Sequence, residues 1–195
     1  MQKIVGRIES VHLGKPDVLN KDAATKLTFD LDGIVGDRHR SFEREAWGAG
    51  DKQAEGVRRR NERQWSAISV EEIREISKTM SLTTELNAGD IGVNFSISGV
   101  PEFSRLTKGT ILKFPSGAEL VVVEYNPPCL DMGKSLADSY ETISGDPLSP
   151  TAFSSAAKLS RGLVGVVDVP GDVVVGDAVE VHLYETPAWL RRTDA

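Results

Sequence analysis

ELVVVEYNPPCLDMG, residues 119–133, joins a valine-rich run to the only cysteine in the chain, Cys129. The run Glu119–Tyr125 carries the β-branched and aromatic residues that favour a pleated strand. Pro127 and Pro128 then fix their own φ angles, restrict the residues before them and donate no backbone N–H. A sheet cannot continue through such a pair. Cys129 is therefore expected at the end of a strand, where barrel mouths and loops meet. Just upstream, Lys113-Phe114 and Ala118-Glu119 flank Pro115-Ser116-Gly117, so GTILKF and AELVVVEY should form a hairpin.

The same two-residue periodicity recurs along the chain. KIVGRIESVHL alternates as a half-buried strand does, and TKLTFDL places Leu27, Phe29 and Leu31 on one face. QWSAIS, GVNFSIS, GLVGVVDV and DAVEVHLY are further strands, with turn signals at Pro170-Gly171-Asp172 and Gly176-Asp177. Helices are few. Ser69 and Glu72 form a capping box before Val70, Ile73, Ile76 and Met80. Ser149 and Pro150 open a second helix in SPTAFSSAAKLS, and KSLADSYETI is a third candidate. Many strands, short turns and few helices predict a mainly β, barrel-like fold with peripheral helices. Residues 44–62 are polar and charged and read as a long, mobile loop.

The length of 195 residues favours one domain, with a core over about 5–183 and a tail over 184–195. The net charge of −6 argues against general nucleic-acid or anionic-membrane binding. A single cysteine cannot make an intrachain disulfide. No window approaches the ~20 apolar residues of a membrane span, so the expected compartment is the cytoplasm.

Three segments carry candidate chemistry. GIVGDRHR, residues 33–40, sets an acid, a fixed cation and an imidazole (Asp37, Arg38, His39) on a short loop behind Gly36. The basic run 58–63 contains Arg58, Arg59, Arg60 and Arg63, whose forks suit phosphate or carboxylate. Arg63 directly precedes a strand and so has the firmer support. Cys129 is the third; a lone cysteine is commonly a small buried hydrophobe, and function would require its thiolate. The histidines His12, His39 and His182 make no zinc-ligand pattern with it. There is no Walker loop, no GxGxxG after a strand and no GxSxG elbow.

Taken in order, these segments resemble the MOSC family, named for the C-terminal domain of molybdenum cofactor sulfurase. GIVGDRHR is similar to that family's glycine–aspartate–histidine loop, and RQWSAISVEEI to its Arg-Gln strand leading into a helix. GDIGVNFSISGV resembles a Gly-Glu-Asn-Phe segment, with Val93 where glutamate is usual. LTKGTILKF resembles a Leu-x-x-Gly-Asp-x-Leu turn, with Thr110 where aspartate is usual. NPPCLDM matches the cysteine loop, and RGLVGVVDVPGDVVVGDAVEV the closing strands.

The resemblance implies a β-barrel-like fold and a pocket for molybdenum cofactor, a molybdenum held by an anionic pterin. It implies Cys129 as the metal's thiolate ligand or the bearer of a persulfide. Arg63, Asn94 and Arg161 would bind the pterin phosphate and polar edges, with Arg38 and Gly36 beside them. Asp37 and His39 would supply hydrogen bonds or proton transfer. No pyridoxal phosphate role is expected. Three functions remain open: a cofactor-binding protein that reduces N-hydroxylated small molecules with a redox partner, a persulfide carrier fed by a cysteine desulfurase, or a non-enzymatic module gripping an anion.

Overall fold

The computed structural model describes residues 3–48, 51–100 and 102–186. Most of the expected tail, residues 187–195, lies outside the described residues.

Strand β1 (Lys3–Gly14) alternates at its centre, with Ile8 buried between exposed Arg7 and Glu9; a bulge between Ile8 and Ser10 then shifts the register, and Val11 and His12 are both buried. β2 (Lys21–Ala24) and β3 (Lys26–Asp30) follow. Leu27 and Phe29 of β3 are buried, but Leu31 falls beyond the strand's end and is exposed. β4 (Gly33–Ile34) folds back on β3, pairing Ile34 with Phe29.

Residues 44–62 depart from the expected mobile loop. They carry a hairpin of β5 (Glu43–Glu45) and β6 (Arg58–Arg60), in which Glu43 opposes Arg60 and Glu45 opposes Arg58. Opposite charges facing each other across the strands support this pairing. β7 (Trp65–Ser69) is buried throughout and leads straight into α1 (Val70–Thr79). The capping box is present: Ser69 Oγ accepts from the Glu72 N–H at 3.1 Å, and the Glu72 carboxylate accepts from the Ser69 N–H at 3.3 Å. Ile73, Ile76 and Met80 are buried as the helical spacing requires.

β8 (Phe95–Ser98) pairs with β7 in parallel, with α1 as the crossover. β9 (Ile111–Lys113) and β10 (Glu119–Tyr125) make the expected hairpin, and Gly117 supplies its φ of 91°. α2 (Leu130–Ala137) begins directly after Cys129, four residues before the expected start, and stops at Ala137. Beyond it Tyr140 is drawn to Asp90, donating to Oδ2 at 2.6 Å. α3 (Ala152–Ala156) has Thr151 at its N-cap position with no cap bond from that side chain, while Ser149 Oγ accepts from the Thr151 N–H at 3.3 Å. The Pro150 carbonyl packs where a side chain on Gly133 of α2 would sit, and Pro150 lies before the helix rather than at its first position. β11 (Leu163–Val169), β12 (Gly171–Val174) and β13 (Ala178–His182) complete the chain.

Among the described residues, β1, β13, β9, β10, β11, β7 and β8 close into a seven-stranded barrel, and β2 extends the far half of β1. At Pro170 the chain leaves the barrel, and β12 joins β3 and β4 in a small second sheet. Trp65 and Phe95 fill the barrel with ring centroids 5.7 Å apart. A second apolar cluster lies under the helices, built on Ile76, Met132, Leu136 and Phe153. Burying side chains of this size contributes roughly 1.5–3 kcal/mol each. No described helix is long and apolar enough to cross a membrane.

Candidate functional site

The site begins with the stiff Asn126-Pro127-Pro128 segment at the end of β10. It delivers Cys129, exposed, to the N-cap of α2 with no cap hydrogen bond from its side chain. From β11's start comes Arg161. The following Gly162 has a φ of 92°, and the Ala67 carbonyl fills the place of any side chain there. Arg63 enters from the residues preceding β7, and Arg38 and His39 from the loop after β4. All five line one cavity of about 590 Å³. Cys129 is thus an open thiol on a cationic rim rather than a buried hydrophobe.

Asp37 lies beneath this surface with its side chain 1% exposed. Oδ2 accepts from the Gly14 N–H at 2.8 Å, Lys21 Nζ at 3.0 Å and Asn94 Nδ2 at 2.8 Å. Oδ1 accepts from the His39 N–H at 2.9 Å and His39 Nδ1 at 3.2 Å. Burial alone would raise the Asp37 pKa. The His39 ring, the Lys21 charge and the backbone N–H groups outweigh it and hold the carboxyl well below the usual range. Burial pulls Lys21 down to about 8 against the attraction of Asp37, so the pair is charged at neutral pH. Burial likewise lowers His39, with Asp37 opposing. Because the carboxylate only accepts, Nδ1 carries the ring proton and Nε2 is left as the base.

Asn94 lines the cavity, but its polar atoms are engaged. Nδ2 donates to Asp37 and to the His12 carbonyl, and Oδ1 accepts from the Ser66 N–H and hydroxyl. It positions Asp37. Gly36 is exposed and outside the lining; its φ of 84° turns the loop that presents residues 37–39.

The charges around the cavity sort into satisfied and unsatisfied groups. Arg44 meets Asp51 at 2.7 Å and Glu62 at 2.5 Å, while Arg59 meets the same two carboxylates. Lys52 meets Glu124 at 2.7 Å. Arg38, Arg63 and Arg161 form no ion pair among the described residues. Arg63 donates to Asn126 Oδ1 at 2.6 Å and Arg161 to the Ile91 carbonyl at 2.6 Å. Arg161 is 7% exposed, and its Nε and Nη1 have no partner. Burial and the neighbouring Arg63 push its pKa down to about 10, and Cys129 and Tyr125 pull it back up. An unpaired buried guanidinium is costly, and an anionic ligand in the cavity would relieve it.

Sequence reasoning missed Lys21, Trp47 and Asn126. Asn126 directly precedes the two prolines, a usable signal. Trp47 is a lone aromatic in a polar stretch. Lys21 carries no local signal.

The family model for the MOSC domain matches residues 35–180, a span that holds every cavity residue discussed above. The chain belongs to the MOSC family. It is 32% identical over 184 residues to YuaD of Bacillus subtilis (strain 168), covering 94% of each chain; that protein's name provisionally assigns it to metal-sulfur cluster biosynthesis. The crystal structure of B. subtilis YuaD superposes with a TM-score of 0.87 at 31% identity, covering 94% of this chain and 99% of the other. YiiM from Geobacillus stearothermophilus shares the fold at 14% identity, with a TM-score of 0.58 over 90% of this chain and 74% of its own.

Proposed function

We propose that this MOSC protein binds molybdenum cofactor, with Cys129 as thiolate ligand and Arg161 and Arg63 on the anionic pterin. The observation that carries this reading is the buried Arg161, two of whose nitrogens lack partners in a cavity that has Cys129 at its rim. The donor set fits such a group. Among the described residues, no three His, Cys, Asp or Glu side chains are placed to hold a bare metal ion. One soft sulfur and two guanidiniums instead suit a metal that arrives on its own anionic carrier. When bound, the group would supply two-electron chemistry, drawing electrons from a redox partner. Reduction of an N-hydroxylated small molecule, which takes up two electrons and two protons and releases water, is the activity to assay. In this reading His39 Nε2 holds or moves a proton while Asp37 fixes the ring.

Expressed with cofactor biosynthesis intact, the protein should hold molybdenum near one equivalent, and Cys129→Ser should lose it. Absence of metal from both forms counts against the assignment.

The exposure of Cys129 and the name given to YuaD favour one second reading. The Cys129 thiolate attacks the terminal sulfur of a desulfurase persulfide. A new S–S bond forms at Cys129, and the donor cysteine leaves as its thiolate. Mass spectrometry after incubation with desulfurase and cysteine should show one added sulfur at Cys129; an unchanged mass rejects this route.

A further inference from the structure

The β5–β6 hairpin holds an exposed aromatic ring on a foundation that packing alone does not demand. Arg44, Arg59, Asp51 and Glu62 form a closed set of four charges, with side chains no more than 15% exposed. Lys52 on the same hairpin loop reaches Glu124 of β10, so the hairpin is pinned to the wall that leads to Cys129. Trp47 rides on this frame. It lines both the large cavity and an adjoining one of about 260 Å³, yet stays 53% exposed. The Arg44 guanidinium covers one face at 3.9 Å from the ring centroid, whereas Arg63 stands off at 5.4 Å. A large amphipathic ring is normally well buried. Here it is half open where the two cavities meet, beside Arg38, His39 and Arg63.

We propose that Trp47 is a stacking platform that selects a planar aromatic ring bearing an anionic substituent. Arg44 backs the indole, the free indole surface takes the ligand ring, and Arg38, which lines both cavities and has a partnerless Nε, takes its negative charge. Glu43 and Glu45 also border the smaller cavity; the Glu43 carboxylate is turned to Arg58 at 3.4 Å, and Glu45 stands opposite Arg58 in the hairpin. The smaller cavity beside the platform is lined by neither Cys129 nor Arg161. The platform rests on the cofactor reading only in treating the bound ring as substrate.

Benzoate and cyclohexanecarboxylate share charge and ring size and differ in flatness. Calorimetry and tryptophan-fluorescence quenching on the full chain should show benzoate bound about tenfold more tightly, the scale of one stacking contact. Trp47→Leu should abolish that preference, and Trp47→Phe should keep most of it. Equal affinity for the two probes, a preference that survives in Trp47→Leu, or binding of neither probe overturns the proposal. Molybdenum content, read on the same samples, separates the two claims. Metal-free protein that still prefers benzoate faults the cofactor reading alone; metal-loaded protein with equal affinities faults the platform alone.

Discussion

Lys21→Met tests whether the site stands on a buried charge pair. Lys21 Nζ lies 3.0 Å from Asp37 Oδ2, and both side chains are 1% exposed. Methionine keeps most of the length and volume, so the cavity term is small and the lost charge dominates. Removing one partner of a buried pair costs roughly 3–5 kcal/mol. Asp37 keeps its donors from Gly14, Asn94 and His39, which places the cost near the lower bound, about 3 kcal/mol. With an m-value of about 2 kcal/mol/M, the urea midpoint should drop by about 1.5 M. The sign of the pH dependence follows from the depressed Asp37 carboxyl. Its stabilisation is present above the unfolded value of ~3.9 and is lost only as pH falls through the lower folded value. Without Lys21 one of the influences holding that carboxyl down is gone, so the variant takes up its proton at a higher pH than the wild type. The gap between wild type and variant should be full at neutral pH and narrow toward acid pH. A loss under about 1 kcal/mol, or a gap that widens toward acid pH, refutes the reasoning.

Four further outcomes are expected. Ser69→Ala removes the cap of α1 and should cost about 1 kcal/mol in urea or thermal unfolding. Gly162→Ala meets both a positive φ and the Ala67 carbonyl; it should cost more than about 2 kcal/mol and displace Arg161. Arg161→Met removes a guanidinium with two partnerless nitrogens; the metal-free chain should lose less than about 1 kcal/mol while metal loading falls sharply. His39, lowered by burial against the pull of Asp37, should stay neutral at pH 7 and titrate below the ordinary ~6.5 when followed by NMR.

The barrel was legible wherever its cause is local. Ser69 and Glu72 announce α1, Pro115-Ser116-Gly117 announces the β9–β10 hairpin, and the two prolines place Cys129 at a strand's end. The β5–β6 hairpin was not legible, because its support is spatial. Arg44 and Arg59 find Asp51 and Glu62 only after the chain turns, and the same residues read in line look like a solvated loop. The start of α2 was hidden because Cys129 is a poor capping residue and offers no signal. Of the candidate site, the arginines and the cysteine could be named from sequence. That Asn94 serves Asp37 rather than a ligand, and that Lys21 lies beneath both, depends on barrel contacts across long stretches of chain.

The pairing of β1 with β13, Lys3 opposite His182 and Arg7 opposite Ala178, sets an order of events during synthesis. The first strand must wait until residues 178–182 have left the ribosome before it gains its last neighbour. Until then the edges of β1 and β9 that β13 will cover stand open to any other extended chain. Closure through contacts so distant along the chain is slow. The newborn chain must therefore be kept from aggregating until β13 arrives.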